Sequence, residues 1–535
     1  MSKKDFFKGA IVLSVAGILV KVMGLLYRIP IANLLKDRGS GYIAQSFYIY
    51  TILFAISSSG INVAVAKLVS EKRALKDYKG AHRVFKLALV ILATAGFLSA
   101  SLVYFGAKPL LNALDNPNAY YATIALVPAL FFVPIMSAFR GYFQGRKTMV
   151  PTALSQIVEQ FIRVLVGLYL TYILLGKGLD IAAGGASFGT SAGAIAATIL
   201  IIGVYFKSRN EIKLELNEGL ECELEETKTI VKRIISIALP LTVGALIIPA
   251  LNFIDSALIP KRIILAGISR NEAPDFIGQI SMAQTVINFT QTFSVALMMS
   301  IVPLISDYYA KKDNNQIKRI TRSAVRMTLL MGLPAGLGIF VLSTDVIGLI
   351  YYENSLDTIK SVGSILRVAG IGVIFLTLVQ TLTAILQGLG KPSIAVRNLG
   401  IGAIVKIVLS FILLSIPSIN IKGAAISTVA TYMVAALLDF IAVIKYTKTD
   451  FSIKNIIIKP FVSSGIMAII VFLSKYYLVN FLDKRIVTII AVFIGIVVYF
   501  TTLFITGSVT KRDLMLLPAG EKISQILERF GLVKA

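Results

Sequence analysis

The stretch QGRKTMVPTALSQIVEQFIR, residues 144–163, and the stretch QGLGKPSIAVRNLGIGAIVK, residues 387–406, have the same layout. Each starts with a Gln-Gly pair, continues into an apolar segment and reaches a cation at the same distance, Arg163 in the first and Lys406 in the second. A cation at membrane depth costs a few kcal/mol and by default marks a polar pathway. The two stretches therefore indicate an internal duplication and buried positive charge in each half.

The composition is that of a membrane protein. Of 535 residues, 56% are hydrophobic and only 15% are charged, too few polar groups to cover a soluble surface. Apolar runs of about 20 residues, enough to cross the bilayer as helix, recur along the whole chain. We therefore predict an all-α polytopic membrane protein with fourteen transmembrane helices and no barrel.

Further matches between the halves support the duplication. Residues 64–71 resemble residues 300–307, and Gly185-Ala186 matches Gly423-Ala424. Each match pairs a helix with the sixth helix after it, so the repeats run parallel, with their axis along the membrane normal. The predicted organisation is two six-helix lobes and two extra C-terminal helices: an N-lobe at 1–206, an acidic linker at 207–229, a C-lobe at 230–446, helices thirteen and fourteen at 447–506, and an amphipathic tail at 507–535.

The net charge of +25 is interpreted as an orientation signal. Most Lys and Arg residues fall on one side of the predicted spans, which places both termini in the cytoplasm and favours contact with anionic lipids of the bilayer. This pattern argues against nucleic acid as a partner. The linker glutamates are expected to be solvated.

No enzyme motif is present. The chain has one histidine, His82, and one cysteine, Cys222, which excludes most catalytic and metal-binding arrangements, and it has no nucleotide-binding sequence. We predict a carrier that is not an enzyme, without cofactor or metal site, driven by the membrane potential, by H+ or Na+, or by the substrate's own gradient.

Two cations of the first helix lead the list of candidate substrate contacts. Lys21 and Arg28 are seven residues apart and share one helix face. Pro30 is expected to end or bend the helix directly after Arg28. An arginine in this position could hold a phosphate with two parallel hydrogen bonds.

The fifth helix carries an acid beside its cation. Glu159 and Arg163 have the i, i+4 spacing that favours an ion pair. The pair could serve only to neutralise itself, or it could open so that an anionic ligand replaces Glu159 or a proton binds it. The position equivalent to Glu159 in the second half is Gly402, which predicts that Lys406 is the freer cation unless Asp439 reaches it.

Four further polar residues complete the predicted binding set. Asp255 follows two prolines in the seventh helix, and it could bind a cation or proton, pair with Arg28, or lie at the interface. Asn62 belongs to a polar break in the second helix, and Gln284 and Asn288 form a polar stripe in the eighth. These amides suit a sugar or peptide, although small polar residues also mediate helix packing.

The chain resembles the multidrug/oligosaccharidyl-lipid/polysaccharide exporter superfamily, and within it the stage V sporulation protein B-like and MurJ-like group of Gram-positive bacteria. The resemblance covers the whole chain and is carried by residues 24–33 (GLLYRIPIAN), 140–145 (RGYFQG), 156–163 and 387–392 (QGLGKP). It implies two six-helix lobes and a multi-pass protein of the bacterial plasma membrane.

The resemblance also implies the cargo, a polyprenyl-pyrophosphate-linked saccharide such as the peptidoglycan precursor lipid II, flipped by alternating access. Arg28 matches a cavity arginine of the family, whereas Gln284 stands where Gram-negative flippases carry an arginine. Two alternatives remain open: a cation-coupled multidrug exporter of the same superfamily, and a non-transport scaffold for the cell-wall or spore-cortex synthesis machinery.

Overall fold

The structure is a computed structural model that describes residues 3–218, 225–452 and 454–507. The side chains of residues 3–11, 14, 293, 295, 296, 299 and 455 are not covered by this description. The predicted amphipathic tail and Cys222 lie outside the described residues.

The described chain is helical throughout, and no strand occurs in it. Its helices are α1 Lys3–Phe54, α2 Gly60–Ala74, α3 Tyr78–Ala113, α4 Tyr120–Ile124, α5 Val127–Gly145, α6 Val150–Leu174, α7 Leu179–Lys207, α8 Arg209–Glu218, α9 Thr227–Arg262, α10 Ala273–Ala310, α11 Asn314–Ile350, α12 Leu356–Gly388, α13 Pro392–Leu413, α14 Lys422–Thr447, α15 Lys459–Leu478 and α16 Lys484–Ile505.

Twelve segments of the described chain are long and apolar enough to cross a membrane. One of them, Val15–Ala74, has 60 residues, about 90 Å as a straight helix, or enough for two crossings. Its backbone is non-helical at Lys36, six residues beyond Pro30, so the helix continues past the proline and bends later than predicted. The predicted fourteen crossings require this segment to cross twice and the 38-residue α10, which is not among the twelve, to cross once, so the number fourteen stays a prediction.

The chain divides into two compact units. Unit 1 comprises Met1–Lys261 and Ser269–Ser281, and unit 2 comprises Arg262–Ile268 and Met282–Ala535. Each unit has its own apolar core, around Phe85, Met136 and Tyr142 in unit 1 and around Ile301, Leu330 and Leu386 in unit 2. Helix α9 packs within unit 1, although the predicted C-lobe begins at residue 230. The compact units are defined by contacts and not by the repeat, so the predicted lobe boundaries stay a prediction.

The duplication is visible as matched helix contacts. In unit 1, a methyl group placed on Gly145 would lie 2.6 Å from the Cβ of Val69. In unit 2, a methyl group on Gly388 would lie 2.6 Å from the Cβ of Ile305. These four residues are the ones that the sequence matches pair, and small residues let helices of a membrane bundle approach closely. The parallel repeat therefore preserves contacts as well as sequence.

Candidate functional site

The first predicted element is the exposed face of α1. Lys21 and Arg28 are both exposed in the structure. Between them, Tyr27 turns to the interior and donates its hydroxyl to the carbonyl oxygen of Ala186 on α7 at 2.5 Å. This bond fixes the rotation of α1, because Tyr27 and Arg28 leave the helix in different directions. The predicted cations are thereby held on the outside of the unit.

Arg163 lies close to α1. Its guanidinium carbon is 5.2 Å from the ring centre of Tyr27 and 4.9 Å from that of Phe47. Arginine stacks favourably on aromatic faces, so the two rings hold the side chain in place. Its Nε atom is buried without a hydrogen-bond partner. In the part of the chain that the structure describes, no carboxylate forms an ion pair with Arg163.

The predicted pairing of Glu159 with Arg163 is wrong. Glu159 accepts a hydrogen bond at 2.8 Å from Arg140 on α5, and the same guanidinium donates through Nε to Ser155 at 2.9 Å. Residues 146–149 connect α5 to α6, so this ion pair joins two consecutive helices. Glu159 is thus neutralised from a neighbouring helix, and Arg163 is not.

Unit 2 shows a different arrangement at the matched positions. Lys406 is only 2% exposed, so the prediction that it is the freer and more accessible cation is wrong. Asp439 on α14 is 1% exposed and accepts hydrogen bonds from Asn398 at 2.8 Å and Thr383 at 3.3 Å. Thr383 occupies the position matched to Arg140, and Asn398 the position matched to Ser155. The second repeat therefore supplies its buried carboxylate from another helix.

The remaining predicted residues fall in both units. In unit 1, Asn62 is half-buried with its Oδ1 atom lacking a hydrogen-bond partner, and Asp255 is buried. The polar break before Asn62 is a π-helical turn, Ala55–Ser59, a distortion often found at functional sites. In unit 2, Gln284 is half-buried, and the exposed Asn288 accepts from Gln291 at 3.4 Å. The structure thus brings Arg163 to the first helix but does not gather the full predicted set in one unit.

One glutamate of the predicted linker, Glu215, is not solvated as predicted. Glu215 on α8 binds Arg73 with two hydrogen bonds of 2.7 and 3.0 Å, and it also lies 3.3 Å from Arg146. Partial burial raises the pKa of Glu215, but the Arg73 hydrogen bonds and the two positive charges outweigh it, so its pKa lies below the ordinary value. Helix α8 is thereby fastened to the ends of α2 and α5.

A second ionic contact lies where α1 bends. Arg38 forms two hydrogen bonds with Asp275 at the start of α10, of 2.7 and 2.8 Å, and Gln279 donates to Asp37 at 3.1 Å. The backbones approach closely here: a methyl group on Gly278 would lie 1.8 Å from the carbonyl oxygen of Asp37. This segment of α10 belongs to unit 1.

Sequence reasoning missed Arg140, Glu215 and the contact between Arg38 and Asp275. In each case the partner lies on a different helix, which spacing within one helix does not reveal. The described residues contain no group of three or more metal-ligating side chains.

Comparisons with known proteins agree with this architecture. Residues 6–309, more than half of the chain, match the family described as Polysaccharide biosynthesis protein, and residues 240–412 match the MatE family.

Three curated relatives come from Bacillus subtilis (strain 168). The uncharacterized membrane protein YabM is 29% identical, covering 98% of this chain and 97% of its own. Stage V sporulation protein B is 28% identical, covering 88% and 91%. Lipid II flippase MurJ is 27% identical, covering 93% and 95%.

Two solved structures share the fold. A lipid II flippase MurJ in an inward closed conformation has a TM-score of 0.67 at 17% identity, covering 94% of this chain and all of its own. An inward-facing multidrug resistance MATE transporter has a TM-score of 0.67 at 15% identity, covering 81% and 98%. The chain belongs to the polysaccharide biosynthesis protein family and is a membrane transporter of the multidrug/oligosaccharidyl-lipid/polysaccharide exporter superfamily.

Proposed function

We propose that this protein is a flippase that moves a polyprenyl-pyrophosphate-linked saccharide, with lipid II as the leading cargo, from the inner to the outer leaflet by alternating access. The relatives that cover nearly the whole chain include a protein named as a lipid II flippase, and this similarity supports the substrate class. In this proposal both termini are cytoplasmic and the protein is in the bacterial plasma membrane.

Arg163 carries the proposal. It lies in the middle of α6, half-buried and packed against Tyr27 and Phe47, with no carboxylate paired to it in the described chain. A cation at this depth is costly unless a partner compensates it. A diphosphate supplies such a partner, and a guanidinium can bind it through two parallel hydrogen bonds.

The exposed cations of α1 extend the positive charge beyond Arg163. Lys21 and Arg28 would meet the diphosphate when it approaches from the membrane side, and Arg163 would receive it deeper in unit 1. Asn62 offers an unpaired amide oxygen to the sugar or peptide part. The prenyl tail would stay in the lipid; α15 and α16, whose outer faces are apolar, offer one surface for it.

Complementation tests this proposal. The full-length gene should restore growth of a strain depleted of its lipid II flippase, and simultaneous replacement of Lys21, Arg28 and Arg163 by Gln should abolish the restoration without changing membrane levels. Lys67→Gln is the matched control, because Lys67 is also a cation within an apolar segment, Val15–Ala74, but pairs with Glu71 one turn away at 3.8 Å. Full growth of the triple variant contradicts the proposal.

The MatE match over residues 240–412 supports a second candidate, a cation-coupled drug exporter. The buried carboxylate of Asp439 would then carry the coupling ion. Drug efflux that is lost in Asp439→Asn but retained in the triple cation variant distinguishes this function from lipid flipping.

A further inference from the structure

A pocket of about 310 Å³ opens at one end of unit 1, where α3 and α6 end and α7 begins. Its lining combines the apolar Leu111 and Pro117 with six polar or aromatic side chains, namely Lys108, Asn112, Asn118, Tyr120, Tyr121 and Asp180. None of them belongs to the proposed diphosphate site. Its volume is at the lower end of the range for small-ligand sites.

Exposed aromatic side chains surround the pocket. Tyr104 and Phe105, one turn before Lys108 on α3, are 58% and 80% exposed, and Tyr172 near the end of α6 is 74% exposed. Tyrosines of membrane proteins concentrate at the boundary between hydrocarbon and water. These residues indicate that Lys108 lies near this boundary, within reach of lipid phosphates.

Two opposite charges share this pocket without neutralising each other. In the described residues, neither Lys108 nor Asp180 forms an ion pair. The Lys108 ammonium is placed 5.3 Å from the ring centre of Tyr120, which orients it by a cation–π contact. Asp180 lies in the first turn of α7, where the helix dipole favours its negative charge.

Contacts with neighbouring helices hold the residues that line the pocket in place. Asn118 donates to the hydroxyl of Tyr42 on α1 at 3.2 Å, which ties the segment before α4 to another helix. Gly184 packs against Tyr121, since a methyl group there would lie 3.0 Å from its Cβ. The pocket thus has walls held by α1, α3, α4 and α7.

We propose that this pocket binds the head group of a zwitterionic phospholipid of the phosphoethanolamine type, with the phosphate on Lys108 and the ammonium on Asp180. An anionic head group without an ammonium would satisfy Lys108 but leave Asp180 facing negative charge. The acyl chains would follow the exposed apolar surface of α3. The inference does not depend on which cargo the protein flips.

Native mass spectrometry of the purified full-length protein tests the assignment, with diacyl phosphatidylethanolamine, diacyl phosphatidylglycerol and soluble O-phosphoethanolamine as probes. The wild-type protein should retain phosphatidylethanolamine at least about threefold more strongly than phosphatidylglycerol, a modest ratio because the charges are partly hydrated. Asp180→Asn should remove this preference, and Lys108→Gln should weaken both lipids. Lys177→Gln is the matched control, because Lys177 is an exposed lysine at the same end of unit 1 but does not line the pocket.

Equal retention of the two lipids by the wild-type protein overturns the proposal. So does a preference that survives in Asp180→Asn protein whose melting temperature matches the wild type. Soluble O-phosphoethanolamine that binds as strongly as the diacyl lipid overturns the assignment to a membrane lipid.

Discussion

Arg140 on α5 and Glu159 on α6 form an ion pair at 2.8 Å, and this pair leaves Arg163, one turn beyond Glu159, without a carboxylate in the described chain. Glu159 therefore pairs with a cation of the preceding helix and not with the cation one turn along α6. Arg163 is the cation that holds the diphosphate in the proposed mechanism.

The Arg140–Glu159 pair should contribute to stability. Their side chains are 13% and 27% exposed, so Glu159→Gln leaves a largely buried guanidinium without its anion and should cost about 1–3 kcal/mol. The double variant Arg140→Gln/Glu159→Gln should lose less than the sum of the single variants. Thermal unfolding in detergent measures this. Asp307→Asn, which breaks the exposed pair with Lys311, is the control and should cost at most about 0.5 kcal/mol.

Arg163 should behave in the opposite way. Its replacement by Gln removes two aromatic contacts, worth about 1 kcal/mol each, but no ion pair in the described structure, and it relieves the cost of a half-buried charge. We expect a nearly unchanged melting temperature with at least about tenfold slower flipping, a factor that corresponds to about 1.4 kcal/mol. Arg163→Lys should recover part of the rate. Loss of stability with an intact rate would assign Arg163 a structural role.

The close approach of α1 and α10 should tolerate no side chain. Gly278→Ala places a methyl group 1.8 Å from the carbonyl oxygen of Asp37, and Gly41→Ala places one 1.9 Å from that of Pro274. Both should lower the melting temperature and the flipping rate. Gly106→Ala is the control, because nothing lies within 4 Å of its added methyl group and alanine favours a helix by about 1 kcal/mol. A neutral Gly278→Ala would mean that these backbones do not pack as described.

Stability should depend on pH through Glu215. Its pKa in the folded protein lies below the ordinary value of 4.5, so its stabilising effect is complete above that pH and is lost as the pH falls through the lowered folded pKa. Glu215→Gln should therefore melt earlier than the wild type at pH 7, and the difference should shrink in acid. Melting curves across pH measure this, with the exposed Glu211→Gln as control. A difference that stays constant down to low pH would exclude the ion pair as its cause.

The fold was predictable from the sequence because membrane spans and a duplication leave local signals. Hydrophobic runs mark helices, and the match of Gln144-Gly145 with Gln387-Gly388 predicted the duplication that the equivalent contacts of Gly145 with Val69 and of Gly388 with Ile305 reflect. The location of Arg163 in a span was also evident from its surroundings. Each of these inferences needs only the local sequence of a segment, or the likeness of two segments, and no knowledge of which helices are in contact.

The partners of the charged residues were not predictable in the same way. Spacing within α6 favoured Glu159 with Arg163, but it carries no information about Arg140 on the preceding helix. Likewise, the run of glutamates in the linker is typical of a solvated segment, but in the structure Glu215 of α8 pairs with Arg73 and Arg146. Lys406 was expected to be accessible because Gly402 stands at the position equivalent to Glu159. The packing of neighbouring helices buries it, and this packing cannot be inferred from a single sequence.

The most direct test is lipid II flipping by the purified protein in proteoliposomes, with fluorescent lipid II and a quencher that reaches only the outer leaflet. The account predicts that the wild-type protein and Lys67→Gln equilibrate the label across the bilayer, and that the Lys21, Arg28 and Arg163 triple Gln variant, inserted at the same density, falls to the rate of empty liposomes. Flipping by the triple variant at the wild-type rate would contradict a diphosphate held by these cations.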